Sequence, residues 1–297
     1  MNFTFHISKL IVRSAWMVAA LLTLADLALS QPMTIRDPAF LVNQQNYSVI
    51  GGGVGGANGP SVVGGRPIPG QLYVGLQAYY SFDNSANFGL SATGALSLTE
   101  YGTPGASTLV TGVVSGAVNV ISDTFGVTDA PAPALRIDGS SSFTIAGWFK
   151  IPSGTPTKSL LFKPSSGSNP VNYAINFDGS GVGVISFVVG NTLGGSAVAT
   201  VTGVTETNVW VYVTAWYDSV YRTVNLEINN GPSASAYLPG APGVTGSWGN
   251  FQIDGGGSDN CEYDQIGIWR RTLNFYERRY IYNGGSGRSF SDLELDL

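Results

Sequence analysis

The chain has 297 residues with 40 Gly and 15 Pro, is only 11% charged and carries a net charge of −5. Its length permits one large or two small domains, its composition suits an all-β surface protein better than a helical enzyme, and its acidity argues against nucleic acid or an anionic membrane surface as a partner. The single cysteine, Cys261, excludes an intrachain disulfide, and the single histidine, His6, lies in a segment that reads as removable; without it, Ser-His-Asp and Cys-His nucleophiles and most zinc sites are excluded.

Residues 1–30 read as a signal peptide. Lys9 and Arg13 form a basic start, and Ser14 to Ala25 form an apolar run of 12 residues, short of the ~20 that a membrane span needs. Ala28-Leu29-Ser30 is a small-x-small cleavage site, which predicts a mature start at Gln31 and a secreted or extracellular protein. Translation from Met33 is the competing reading. Residues 31–70 form a Gly/Pro-rich arm or linker, with GGGVGGANGPSVVGGRPIPG at 51–70 too poor in large apolar groups to fold alone. Asn46-Tyr47-Ser48 is a glycosylation sequon.

From about Gln71 strand patterns follow one another. SFTIAGWFKI (142–151) and VWVYVTAWYD (209–218) are two of these strand segments, YAINFDGSGVGVISFVVG (173–190) is a hairpin turning at Asp178-Gly179, and Asn230-Gly231 suits a primed turn. Tyr263 to Gly285 then reads as a strand, a turn and a short helix. Asp264, Ile266 and Ile268 alternate with Tyr263, Gln265, Gly267 and Trp269, which predicts Asp264 on the core face with the isoleucines. Asn274 and Glu277 have capping-box spacing, and Gly284-Gly285 suits a left-handed helix end. The tail at 291–297 is acidic and reads as an extra strand or a disordered end.

This C-terminal stretch resembles the ungapped signature of laminin-G-like jelly rolls, the concanavalin-A-like lectin and glucanase family. LQAYYSFDNSANFG (76–89), GVVSGAVNV (112–120) and SFTIAGWFKI resemble earlier segments of that family, in family order, across roughly 72–290. The resemblance implies an all-β, antiparallel jelly-roll β-sandwich at 71–290 of about twelve to fifteen strands, with one short C-terminal helix. It also implies a non-catalytic recognition or adhesion module for a glycan or glycoprotein. The first alternative is a structural virion or cell-surface protein that self-assembles through the 31–70 arm; the second is a β-glucan hydrolase.

Three candidate sites follow. Asp254, Asp259, Glu262 and Asp264 fall within eleven residues. In related jelly rolls the Asp at the place of Asp264 helps bind a structural calcium with an acid from the opening strand, here Asp83. The bland alternatives are that Asp264 accepts backbone N–H bonds or pairs with Arg271. Jelly-roll glucanases carry E-x-D-x-x-E; Glu262 and Asp264 supply the first two acids, but Gly267 stands in place of the third. Finally, if Val211, Val213, Ala215 and Tyr217 point inward, Tyr212 and Trp216 point outward, and Trp148 does so on its own strand. Outward aromatics can stack on sugar rings, which makes Trp148, Tyr212 and Trp216 the predicted glycan platform unless an arm, a loop or a second small core covers them.

Overall fold

The computed structural model describes residues 62–63, 66–67 and 71–294, except 104, 129–132, 139–140, 156, 167–170, 180–182, 205–206, 244–246 and 255–259. The signal peptide and its cleavage site, the sequon, most of the 31–70 arm, Asp259 and the last three residues of the tail lie outside them. Every described residue belongs to one compact unit.

Val62–Val63 (β1) and Arg66–Pro67 (β2) pair as a minimal hairpin. Sixteen strands follow among the described residues. They are β3 (Leu76–Tyr80), β4 (Thr99–Gly102), β5 (Thr108–Thr111), β6 (Gly116–Asn119), β7 (Asp123–Val127), β8 (Phe143–Lys150), β9 (Lys158–Ser166) and β10 (Val171–Asp178). The rest are β11 (Val184–Gly190), β12 (Ser196–Thr202), β13 (Trp210–Asp218), β14 (Thr223–Ile228), β15 (Ala234–Tyr237), β16 (Ser247–Trp248), β17 (Phe251–Ile253) and β18 (Glu262–Trp269). They form two antiparallel sheets of eight strands. One runs β12-β11-β10-β9-β17-β7-β4, with β16 on β9; the other runs β15-β14-β13-β8-β18-β6-β5, with β3 on β18.

Alternation drives the packing. Phe143, Ile145 and Phe149 of β8, and Val211, Val213, Ala215 and Tyr217 of β13, enter one core with Phe187 and Val189 of β11 and Phe251 and Ile253 of β17. Burying a side chain of this size stabilises by about 1.5–3 kcal/mol. The β10–β11 hairpin forms as expected. The primed turn sits one residue earlier than predicted: Asn229 and Asn230 hold φ of 51° and 54°, and the Gly231 N–H donates to the Ile228 carbonyl. Asparagine tolerates this left-handed region because its short side chain bonds locally.

Phe275–Tyr282 (α1) starts at the predicted capping box, with Asn274 accepting from Tyr276 and Glu277 N–H groups and Glu277 accepting from Asn274 N–H. Its left-handed end begins at Asn283, one residue before the glycines. The tail corrects the strand-or-disorder expectation up to residue 294. Phe290–Glu294 (α2) is a short helix, with Ser289 and Asp292 bonding each other's backbone N–H.

Candidate functional site

Trp148 (β8), Tyr212 and Trp216 (β13) leave their sheet on the face away from the main core, as parity requires. They do not form an open platform. α1 lies across them, and Trp148, Tyr212 and Trp216 are only 3%, 0% and 9% exposed. Tyr282 stacks on Trp148 at 5.7 Å and meets Tyr212 at 5.6 Å. Arg278 sets its guanidinium 4.4 Å above the Trp216 ring while bonding Glu227 of β14. With Leu273, Tyr280 and Ile281, Trp148 and Tyr212 form a second apolar cluster outside the sandwich. The expectation of a glycan platform at these three residues is therefore corrected: burying their faces under a helix stabilises the fold and leaves no ring open to a sugar.

Asp264 is also on this outer face. Its predicted side is reversed because β18 carries a bulge: the ladder to β8 slips between Asp264 and Gly267, and Gln265 holds a φ of +50°. One extra residue flips the alternation, so Tyr263 joins Ile266 and Ile268 in the core while Asp264 stands opposite Trp148. The carboxylate is fully buried, and its Oδ2 accepts the Val113 and Val114 N–H groups at 2.7 and 2.9 Å. A Cβ on Gly112 would lie 2.5 Å from that oxygen, so the loop needs glycine there. Asp83, exposed on the opening segment, bonds the Gly116 N–H at 2.7 Å. Both acids thus hold the 112–116 loop, and Asp264 Oδ1 is left buried without a partner. Burial pushes the Asp264 carboxyl up to about 7, the Val114 and Val113 N–H bonds oppose that, and the nearby Asp83 adds to it. An orphaned buried oxygen beside a second carboxylate fits a cation. Arg271 pairs with Glu277 instead.

The remaining acids do not converge. Glu262 pairs with Lys150 at 3.0 Å. Asp254 pairs with buried Lys158 at 2.7 Å and takes the Tyr263 hydroxyl at 3.2 Å. Among the described residues no three Asp, Glu, His or Cys side chains group closely enough for a metal. Glu262 and Asp264 share a strand face, but Asp264 is closed off and Glu262 is held by a lysine, which is unlike a pair flanking a sugar.

The outer face of the other sheet is different, because both described α-helices pack elsewhere. One register row crosses seven strands: Val198, Val188, Ala174, Phe162, Gln252, Gly126 and Thr99. Beside it run Thr200, Ser186, Asn176 and Ser159. The Tyr101 ring of β4 passes over Gly126, where a Cβ would sit 3.3 Å from it and 3.4 Å from Gln252. Ser159 donates to the Asn176 carbonyl oxygen at 2.7 Å, which leaves the amide N–H groups of Asn176 out of that contact. The face therefore offers an exposed phenol ring, a half-buried phenyl ring, two amides and hydroxyls.

A family model described as the concanavalin A-like lectin/glucanases superfamily matches residues 123–276. The chain belongs to that superfamily. Similar solved structures include the binding domain of Paraclostridial Mosquitocidal Protein 1, at 14% identity and a TM-score of 0.51, covering 71% of this chain and 52% of that one. The binding domain of botulinum neurotoxin serotype D matches at 12% and 0.53, covering 71% and 52%. The binding domain of botulinum neurotoxin DC in complex with SialylT matches at 13% and 0.54, covering 70% and 51%. At these identities the likeness is one of fold. This member of the superfamily spans about half the length of those structures. No curated protein matches it.

Sequence patterning does not pick out Tyr101, Phe162, Gln252 or Asn176. Phe162 sits in LLFKPSS, an apolar run with no clean alternation, because β9 bulges against β10 and turns both Leu160 and Leu161 into the core. Cross-strand rows join residues far apart in the chain, and no local pattern reports them.

Proposed function

We propose that the chain is a secreted or surface-exposed, non-catalytic recognition module that binds a glycan or glycoprotein on the outer face of the β4–β12 sheet. The observation that carries this reading is the row through Phe162 and Gln252, over whose Gly126 the Tyr101 ring passes, with Asn176, Ser186 and Thr200 alongside. Aromatic faces stack on sugar C–H surfaces, and a few placed polar groups fix orientation. The sealing of the opposite sheet by α1 leaves this face as the sandwich's broad open surface among the described residues. The similarity to structures named as binding domains supports the reading at the level of fold.

Calcium belongs to the same proposal. Asp83 and Asp264 would hold it, and it would supply charge neutralisation to two neighbouring carboxylates.

The test is glycan-array binding of the full chain, with calcium and with chelator, beside Tyr101→Ala and Phe162→Ala. Binding to a defined glycan class that weakens about tenfold in either variant is the expected result. Binding unchanged in both variants overturns the assignment of the face. No binding by the parent chain overturns the glycan reading and favours self-assembly through the 31–70 arm, which sedimentation would then show.

A further inference from the structure

The β13–β14 hairpin carries a second arrangement that the glycan face does not use. Asp218 Oδ1 accepts the Val220 and Tyr221 N–H groups at 2.8 and 3.2 Å, and Ser219 N–H donates to Ser142 Oγ at 3.0 Å. The turn is thereby held, and the carboxylate of Asp218 is engaged by the backbone. Arg222 follows with a φ of +53°, a conformation an L-residue adopts only when its surroundings impose it. The Leu238 N–H donates to the Arg222 carbonyl at 2.8 Å and brings β15 alongside. Tyr237 of β15 stands opposite Thr223 and is 62% exposed; Tyr221 is 58% exposed. The phenol of Tyr217 feels both Arg222 and Tyr237, so these groups share one neighbourhood.

Arg222 itself is exposed and uncommitted. Lys150, Lys158, Arg270, Arg271 and Arg278 all pair with carboxylates. Among the described residues, no carboxylate or carbonyl takes up the Arg222 guanidinium in an ion pair or a side-chain hydrogen bond.

We propose that Arg222, with Tyr221 before it in the turn and Tyr237 on the paired strand β15, is a binding site for a carboxylate-bearing sugar such as a sialic or uronic acid. A guanidinium grips a carboxylate with two parallel hydrogen bonds, and exposed phenol rings supply flat faces for the sugar ring at low entropic cost. A single guanidinium at this hairpin, on a chain of net charge −5, matches a singly charged ligand and disfavours a polyanion. The site lies on the other sheet from Tyr101 and Phe162 and stands without the glycan face.

Calorimetry of the full chain with sialyllactose, a glucuronic-acid disaccharide, lactose and lactose sulfate tests it, beside Arg222→Asn, Tyr237→Ala and Arg279→Gln. Asparagine suits the positive φ, so the hairpin survives, and a thermal melt confirms this. The expected result is binding of at least one carboxylated sugar, on the order of tenfold tighter than lactose or its sulfate. That preference should vanish in Arg222→Asn, weaken in Tyr237→Ala and persist in Arg279→Gln. No binding of either carboxylated sugar, equal binding of lactose or its sulfate, or full binding by Arg222→Asn each overturns the proposal.

Discussion

Asp264 and Trp148 stand opposite each other across β18 and β8, so both side chains leave the sheet on the face away from the main core. The bulge at Gln265 makes this possible while keeping Ile266 and Ile268 inside. Deleting Gln265 restores simple alternation and drives either the isoleucines or Tyr263 out of the core. The deletion is expected to prevent folding, read as loss of the near-ultraviolet dichroism of the packed aromatics. A native-like spectrum would show that the register is set elsewhere.

Trp148 is locked between Tyr212 and Tyr282. Trp148→Ala should cost about 3–5 kcal/mol by urea denaturation, the usual range for a buried tryptophan. Binding on the outer face of the β4–β12 sheet should be unchanged in buffer without denaturant. A loss below about 1 kcal/mol would mean that α1 contributes little cover.

Asp264 makes stability depend on pH with an unusual sign. Its carboxyl is pushed up to about 7 in the folded chain, from a usual value of 3.8. Between these values the folded state binds a proton that the unfolded state has released, so the unfolded state binds fewer protons and stability falls as pH rises. The contribution is fully present below about pH 4 and is lost by about pH 7, at ~1.4 kcal/mol for each pH unit crossed. Asp264→Asn keeps an oxygen for the Val113 and Val114 N–H groups and removes the charge. In metal-free buffer it should flatten the curve over that interval and be at least as stable as the parent at about pH 8, above the range in which the group titrates. A parallel curve in the variant would assign the dependence to another group.

If a cation sits between Asp83 and Asp264, calcium at about a hundredfold excess over its dissociation constant should add about 2.7 kcal/mol to the unfolding free energy. Asp83→Asn and Asp264→Asn should each abolish that increment. Melting curves superimposable with calcium and with chelator would remove the metal from the account.

What was legible in the sequence was local. Asn274 and Glu277 lie three residues apart, and their capping bonds form within one turn, so spacing alone announced α1. The parity of Trp148, Tyr212 and Trp216 was equally legible, since it depends only on strand alternation. What lay on top of them was not, because the cover comes from Tyr282 and Arg278, whose placement depends on how the helix docks. The side of Asp264 was hidden for a related reason: a bulge is set by pairing with β8, a strand far earlier in the chain.

Glu277 ties these levels together. It is fully buried, closes the capping box through the Asn274 N–H at 2.8 Å, and takes both ends of the Arg271 guanidinium at 2.7 and 2.8 Å. Arg271 in turn donates to the carbonyls of Gln71 and Val74. One carboxylate therefore fastens the start of α1 to the chain entering the sandwich some 200 residues earlier. Glu277→Ala leaves a partly buried guanidinium unpaired and removes the cap, at an expected cost of about 3–5 kcal/mol. Glu277→Gln keeps an acceptor for the Asn274 N–H and should cost less. The diagnostic reading is tryptophan emission before global unfolding. Because α1 covers Trp148 and Trp216, its undocking in Glu277→Ala should red-shift the spectrum at denaturant concentrations where sheet dichroism is still native. Coincident transitions by both probes would show instead that α1 and the sandwich unfold as one unit.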